Sequence, residues 1–268
     1  MEMLQSLGSA SPLVRELEDK MGDLDWTLAH FAFVANVTAH ASACDVVHSP
    51  RMSVVSCHCS DRPVLAFIGD AANLLADYTA FLAEPGSEVD VLVSEEQHAV
   101  VAEAFDVRSE AVKLQMLFEG RAEELVSPQA ERLDARDLRA MHALAERSGY
   151  EVQAFEDDLL AQGPAFGIWE GRKLISMATT LLTLPGAAQI GNVVTLPERR
   201  RQGYATQAVS ALVRAHLAEE RPVFVIVDRQ NRAAIRLFDR LGFGTVRRVY
   251  ALRCRLEREV ADFSVRQE

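Results

Sequence analysis

The chain runs Val193-Val194-Thr195-Leu196-Pro197-Glu198-Arg199-Arg200-Arg201-Gln202-Gly203-Tyr204-Ala205-Thr206, and the chemistry this order offers is the holding of an anion. An apolar stretch stops at a proline, a basic turn follows, and a helical pattern begins at a glycine and a small residue. The first N–H groups of a helix have no partner within it, and together with the helix dipole they attract phosphate. Gly203 and Ala205 allow a phosphate close to the backbone, and Arg200 and Arg201 add charge. Elsewhere, a run of three arginines would be a solvated loop. Before a helix start it reads as a pyrophosphate cradle.

Other candidate chemistries are weaker. Cys57-His58-Cys59 offers metal-ligand types, but in an extended segment Cys57 and Cys59 face one way and His58 the other. No further CxxC or HxxxH pair completes a four-ligand site, so small buried thiols and no metal are expected. Four cysteines, Cys44, Cys57, Cys59 and Cys254, do not make a disulfide scaffold in 268 residues. Neither they nor the serines have convincing triad partners, so no covalent acyl-enzyme is expected.

The cradle segment resembles the signature loop of the GNAT superfamily of acyl-CoA-dependent N-acyltransferases, [Gln/Arg]-x-x-Gly-x-[Gly/Ala], at Arg200-Arg201-Gln202-Gly203-Tyr204-Ala205. A second block of that family is similar to Asn231, Ala234, Gly242 and Phe243, at the expected distance downstream. The resemblance covers about residues 129–256. It implies acetyl-CoA as co-substrate, held by Val193, Val194 and Thr195 along the pantetheine and by Arg200, Arg201, Gln202, Gly203, Tyr204, Ala205 and Thr206 at the phosphates, with Asn231 and Phe238 from the second block. It also implies a backbone N–H, that of Val194, facing the thioester carbonyl, and direct attack by an amine. Two positions depart from the pattern. Phe238 stands where many relatives carry the tyrosine that protonates the departing thiolate, and Arg201 replaces a glycine common in the middle of the loop. Tyr250, on the last strand, is the substitute candidate for general acid. No general base stands out among His142, Tyr150, Glu151 and Glu170; Glu198 reads as structural.

The elements that must position this loop follow from periodicity. Helical spacing predicts helices over Leu133–Gly149, capped by Asp134, over Ala154–Ala161, over Gly203–Glu219 and over Asn231–Leu241, the last closed by Gly242. Strands are predicted at Phe166–Trp169, Leu174–Leu182, Gln189–Leu196, Val223–Val227 and Thr245–Leu256. In the family's terms the first two helices shape the acceptor pocket. Before them, Leu28–His40 reads as a helix. Ser53–Cys59 and Val64–Gly69 then read as strands, Ala71–Ala83 as a helix, Val89–Val93 as a strand, Glu95–Phe105 as a helix and Ala111–Phe118 as a strand. This is the order found from Leu174 onward, a repeat of architecture without matching chemistry. It resembles a degenerate second copy of the GNAT half-fold. Its counterpart of the cradle, Phe67-Ile68-Gly69-Asp70-Ala71, has no arginine and an aspartate in the phosphate position, so it should bind no CoA. The expected fold class is α/β: a GNAT-type mixed sheet flanked by helices, preceded by a degenerate GNAT-like lobe. The expected domains are 1–128 and 129–268, divided near Ser127-Pro128.

Charge divides the chain in the same way. Residues 1–128 hold 7 Lys and Arg against 21 Asp and Glu, and residues 129–268 hold 21 against 18. An anionic ligand therefore belongs to the second half, and an acidic first half suits a cationic acceptor. No basic stripe suggests nucleic acid, no stretch has the apolar length of a membrane helix, and the first twenty residues lack a signal-peptide pattern. The reading is a cytoplasmic acetyl-CoA-dependent N-acetyltransferase acting on an amine, of a small molecule first or of an amino acid or protein, with no nucleic-acid or membrane partner, as a monomer or homodimer. The alternatives are an acyl-CoA-binding sensor or scaffold without turnover and an N-acyltransferase using a longer acyl-CoA.

Overall fold

The computed structural model describes residues 2–6, 17, 19–38, 43–49, 51–58, 62–70, 72–84, 86–150 and 160–256. In chain order the elements begin β1 (Glu2–Ser6), α1 (Leu24–Ala29), α2 (Phe31–Thr38), β2 (Cys44–Ser49), β3 (Met52–Cys57), β4 (Val64–Ile68), α3 (Ala72–Leu82), β5 (Glu88–Ser94), α4 (Glu95–Ala104) and β6 (Asp106–Phe118). They continue with β7 (Ala130–Leu133), α5 (Leu138–Arg147), β8 (Ala165–Glu170), β9 (Lys173–Thr183), β10 (Ala188–Thr195), α6 (Tyr204–Leu217), β11 (Val223–Asp228), α7 (Arg232–Leu241) and β12 (Phe243–Arg255). Two compact units result: Met1–Lys113 with Arg247–Glu268, and Leu114–Val246. Each is a mixed sheet flanked by helices.

In the first unit β2 and β3 form a hairpin, Cys44 opposite Cys57 through Ser49 opposite Met52. β3 and β4 run antiparallel, and β4 and β5 run parallel. The end of the chain returns to close this sheet, with Val249–Arg255 of β12 antiparallel to Ser94–Glu88 of β5. Leu65, Phe67, Val91 and Leu252 pack with Leu75 of α3 and Val101 of α4 in one apolar cluster. Full burial of such side chains is worth about 1.5–3 kcal/mol each.

In the second unit β7, β8, β9 and β10 are antiparallel neighbours, and β11 lies parallel to β10. Asp134 and Asp137 build a capping box ahead of α5, the Asp134 Oδ1 accepting from the Arg136 N–H at 2.9 Å. The apolar face of α5, Met141, Leu144 and Ala145, covers Ile168, Ile175 and Met177. Ala208, Val209, Leu212 and Val213 of α6 pack with Ile190, Val223 and Val225 in a separate cluster. Near its end, α6 is pinned to β9: the Thr180 hydroxyl donates to the Pro164 carbonyl, so the His216 Nε2–H donates to Thr180 Oγ1 at 2.8 Å.

The expected helices and strands of the second half are present with ends shifted by a few residues. The exception is the helix expected over 154–161, which falls mostly on residues outside those described. The single helix expected over 28–40 is two, α1 and α2, separated at His30. Three strands were not foreseen: β1, β2 and β7. The unit boundary also differs from the sequence reading after residue 128. Residues 114–128 belong to the second unit, and β12 crosses back into the first beyond Val246. Among the described residues, no helix is long and apolar enough to cross a membrane, and no cluster of His, Cys, Asp or Glu suited to a metal ion occurs.

Candidate active site

The site is built where β10 leaves the sheet of the second unit. The parallel pairing of β10 with β11 registers Ala188 with Val223 and Gln189 with Phe224, and goes no further. Beyond that point the two strands separate, and the β10 backbone from Ile190 onward lacks this ladder. On its other side β10 stays paired with β9, but the register slips between Gly191 and Val194. One extra residue is accommodated there, and Asn192 takes a left-handed φ of 45°. It is 2 % exposed, and its Nδ2 donates to Thr179 Oγ1 at 3.0 Å. An inserted residue inverts the alternation of a strand. Ile190 and Val193 accordingly pack with the α6 cluster, and Val194 with the α5 cluster. The sequence reading missed Asn192. Its signal was the pair Gly191-Asn192, poor strand formers inside a valine-rich strand.

At the end of β10 the Ser176 hydroxyl donates to the Val194 carbonyl at 3.1 Å, so Thr195 Oγ1 donates in turn to Ser176 Oγ at 2.8 Å. The loop then makes one tight turn, Pro197–Arg199, and reaches α6 through Arg200, Arg201, Gln202 and Gly203. Arg201 has φ 64° and Gly203 φ 83°. Gly203 is at ease there, whereas a left-handed arginine costs on the order of 1 kcal/mol and persists only where its surroundings enforce it. Those surroundings are ion pairs to the β8–β9 hairpin and to the end of α5. Arg199 Nη2 lies 2.6 Å from Glu170 Oε2, and Glu198 Oε1 lies 3.2 Å from Lys173 Nζ and 3.8 Å from Arg147 Nη2. The Arg200 Nε donates to the Thr195 carbonyl at 3.2 Å. Of the three arginines, Arg199 therefore holds the loop, and Arg200 and Arg201 are exposed beside it.

Gly203 is the N-cap of α6 and carries no side chain to bond the helix start. Gln207 N–H is the first to bond back, to the Gly203 carbonyl at 3.1 Å. The N–H groups of Tyr204, Ala205 and Thr206 thus point out of the helix end, the arrangement that suits a phosphate. A Cβ at Gly203 would meet no atom within 4 Å, so the space in front of the helix is open. Tyr204 packs on the α5-side core. The second block has other duties as well. Asn231 Oδ1 caps α7 by accepting from the Ala234 N–H at 3.1 Å. Phe238 is 2 % exposed and edge-on to Phe243, with ring centroids 5.1 Å apart.

The remaining candidates are dispersed. Tyr250 belongs to the first unit, on β12 opposite Val93, half-buried with its ring 4.4 Å from that of His98. Glu198 has its carboxyl held below the usual range by its own N–H and by Lys173, which fits the structural part read for it. Glu170 is paired with Arg199, burial raises the Tyr150 phenol, His142 is exposed on α5, and Glu151 lies outside the described residues.

Residues 165–252, which contain the strand split, the loop and the second block, match the model of the FR47-like protein family. A tandem GNAT protein from the clavulanic acid biosynthesis pathway superposes with a TM-score of 0.63 at 12 % identity, over 94 % of this chain and 97 % of that one. A GNAT-family protein of Novosphingobium aromaticivorans gives 0.63 at 22 % identity over 85 % and 97 %, and a GNAT acetyltransferase of Colwellia psychrerythraea 0.61 at 13 % over 95 % and 100 %. The chain has the GNAT fold. No curated protein matches it by sequence. The GNAT likeness extends over both units, and the family-model match begins in the second, at β8.

Proposed function

We propose that the second unit binds acetyl-CoA and that the protein transfers its acetyl group directly to an amine of a small molecule. The observation that carries this reading is the start of α6. Its outward N–H groups, two exposed arginines and an open approach over Gly203 lie at the end of a strand whose parallel partner has separated from it. Such a cradle fits the doubly charged pyrophosphate of CoA. On the edge of β10 that β11 has left, the peptide groups of Val193 and Thr195 offer partners to the pantetheine amides. Val194 pairs with Met177 of β9, and the Leu196 N–H donates to the Ile175 carbonyl. The Val194 N–H therefore faces β9, and the Val193 N–H is the proposed donor to the thioester oxygen in its place. A preorganised donor of this kind is worth roughly 2.7–4 kcal/mol in a transition state. The thioester supplies an activated acetyl group. The amine nitrogen bonds to its carbonyl carbon, the C–S bond breaks, the nitrogen gives up a proton to solvent, and the thiolate takes one. A thiol with pKa near 8.5 leaves readily, and with Phe238 in the core Tyr250 is the proposed proton donor.

Release of free thiol from acetyl-CoA, measured against a panel of amines, tests the proposal, and longer acyl-CoAs in the same assay define the acyl group. Acetyl-CoA binding without thiol release above hydrolysis for any amine would overturn the enzyme reading. It would leave an acyl-CoA-binding protein without turnover, a reading favoured by the absence of a phenol at position 238.

A further inference from the structure

The first unit contains a cleft of about 710 Å³ lined from Asp19 to His30, from the start of α4 and by Arg247. Its apolar surface is an aromatic pair: the rings of Trp26 and His30 stack with centroids 4.6 Å apart at 25°. His30 Nδ1 lies 3.0 Å from the Trp26 carbonyl oxygen. A carbonyl only accepts, so Nδ1 carries the proton and Nε2 presents a lone pair. Burial, the largest influence on it, holds the His30 pKa below the ordinary imidazole value, so the ring is neutral near pH 7.

The polar groups around this pair are mostly acceptors. Glu96 is held ionised, chiefly by the Ser94 hydroxyl and then by its own N–H. Gln97 donates its amide to the Phe67 carbonyl at 2.8 Å, which leaves its oxygen as the free end. Asp19, Asp23 and Asp25 also line the cleft, against the two cations Lys20 and Arg247. Arg247 is partly engaged: its Nη2 lies 2.6 Å from Asp25 Oδ1 and its side chain is only 12 % exposed, while its Nε is buried without a hydrogen-bond partner. An anion would find Lys20 and the Arg247 Nε among four carboxylates, Asp19, Asp23, Asp25 and Glu96. A cation bearing N–H donors would find acceptors and an aromatic face, where cation–π attraction contributes about 0.5–2 kcal/mol.

We infer that this cleft is a binding site for an organic ammonium with an apolar or aromatic body, lying on the Trp26–His30 pair with its charged end toward Glu96 and the His30 Nε2. The site is distinct from the CoA cradle and does not rest on the acetyl-transfer reading. Trp26 and Trp169 are the only tryptophans in the chain, so Trp169→Phe leaves Trp26 as sole reporter. Titration of that variant without CoA, using phenethylammonium as probe, should give a saturable change in Trp26 fluorescence. Its uncharged counterpart, 2-phenylethanol, should bind at least about tenfold more weakly, about 1.4 kcal/mol. Glu96→Gln should weaken the ammonium and leave the alcohol unchanged. Calorimetry on the unaltered chain repeats the comparison should Trp169→Phe not fold. Equal affinity for ammonium and alcohol, indifference to Glu96→Gln, or no saturable response by either method would overturn the inference, whatever the thiol-release assay shows.

Discussion

The two units arrange the same sequence of elements in the same senses, yet differ where a ligand would sit. β3–β4–α3–β5–α4–β6 and β9–β10–α6–β11–α7–β12 run in one order. In both, the parallel pair is registered at two positions only, Val64–Asp90 and Leu65–Val91 in one, Ala188–Val223 and Gln189–Phe224 in the other. The segments beyond the split differ. Between β4 and α3 stand only Gly69, Asp70 and Ala71, and a Cβ at Gly69 would lie 2.7 Å from the Arg51 carbonyl oxygen. Between β10 and α6 stand Leu196 to Gly203, with open space over the last of them. In the first unit, moreover, the Gln97 amide donates across to the Phe67 carbonyl beyond the split. A shared topology thus supplies a strand split; in the proposed reading, the longer, basic loop ending in an uncapped helix is what makes one of the two an anion site.

The largest expected effect is at Tyr250, the proposed proton donor. With its phenol as proton donor, Tyr250→Phe lowers turnover by roughly 10²–10⁴ while CoA affinity stays put. Turnover close to the parent's would return Tyr250 to a packing role beside His98. The next effect concerns binding alone. One CoA should bind per chain, and at a hundredfold excess over its dissociation constant it should stabilise the native state by about 2.7 kcal/mol. In Arg200→Ala/Arg201→Ala the thermal shift should shrink sharply, whereas Asp70→Ala should leave it intact. Calorimetric stoichiometry near two, or equal sensitivity to Asp70, would make the first unit a second cofactor site.

Much of this contrast was legible in the residues, for a physical reason. Helix starts and stops are local, so Asp134, Gly203, Asn231 and Gly242 marked their helices at the level of single side chains. The loop and helix start proposed as the cradle were legible as such because they form one contiguous run. What escaped was set by pairing at a distance. β7 is a four-residue edge strand whose identity comes from β8, and β2 is defined by its hairpin with β3. The bulge at Asn192 appears only against the β9 register. The unit boundary was misplaced because β12 serves both units in turn: Phe243 packs in the second core and Leu252 in the first. A continuous strand gives no composition change at that point.

The smallest expected effect probes how the first unit's split is closed. Gln97 in α4 reaches Phe67 in β4 through one side-chain hydrogen bond of 2.8 Å. Removing it in Gln97→Ala leaves the Phe67 carbonyl one donor short. The loss should be about 0.5–1.5 kcal/mol, the usual net worth of such a bond, read as a lower denaturation midpoint with an unchanged slope. Gln97→Ala should still bind no second CoA. Removing the amide opens the split but adds neither the longer loop nor the arginines, and Gly69 remains pressed on the Arg51 carbonyl. A second CoA equivalent in calorimetry of Gln97→Ala would show that one amide, rather than the loop, had separated the two halves in function. Unchanged stoichiometry with the modest loss of stability would place the difference where the two loops diverge, in the residues between the split strand and the helix.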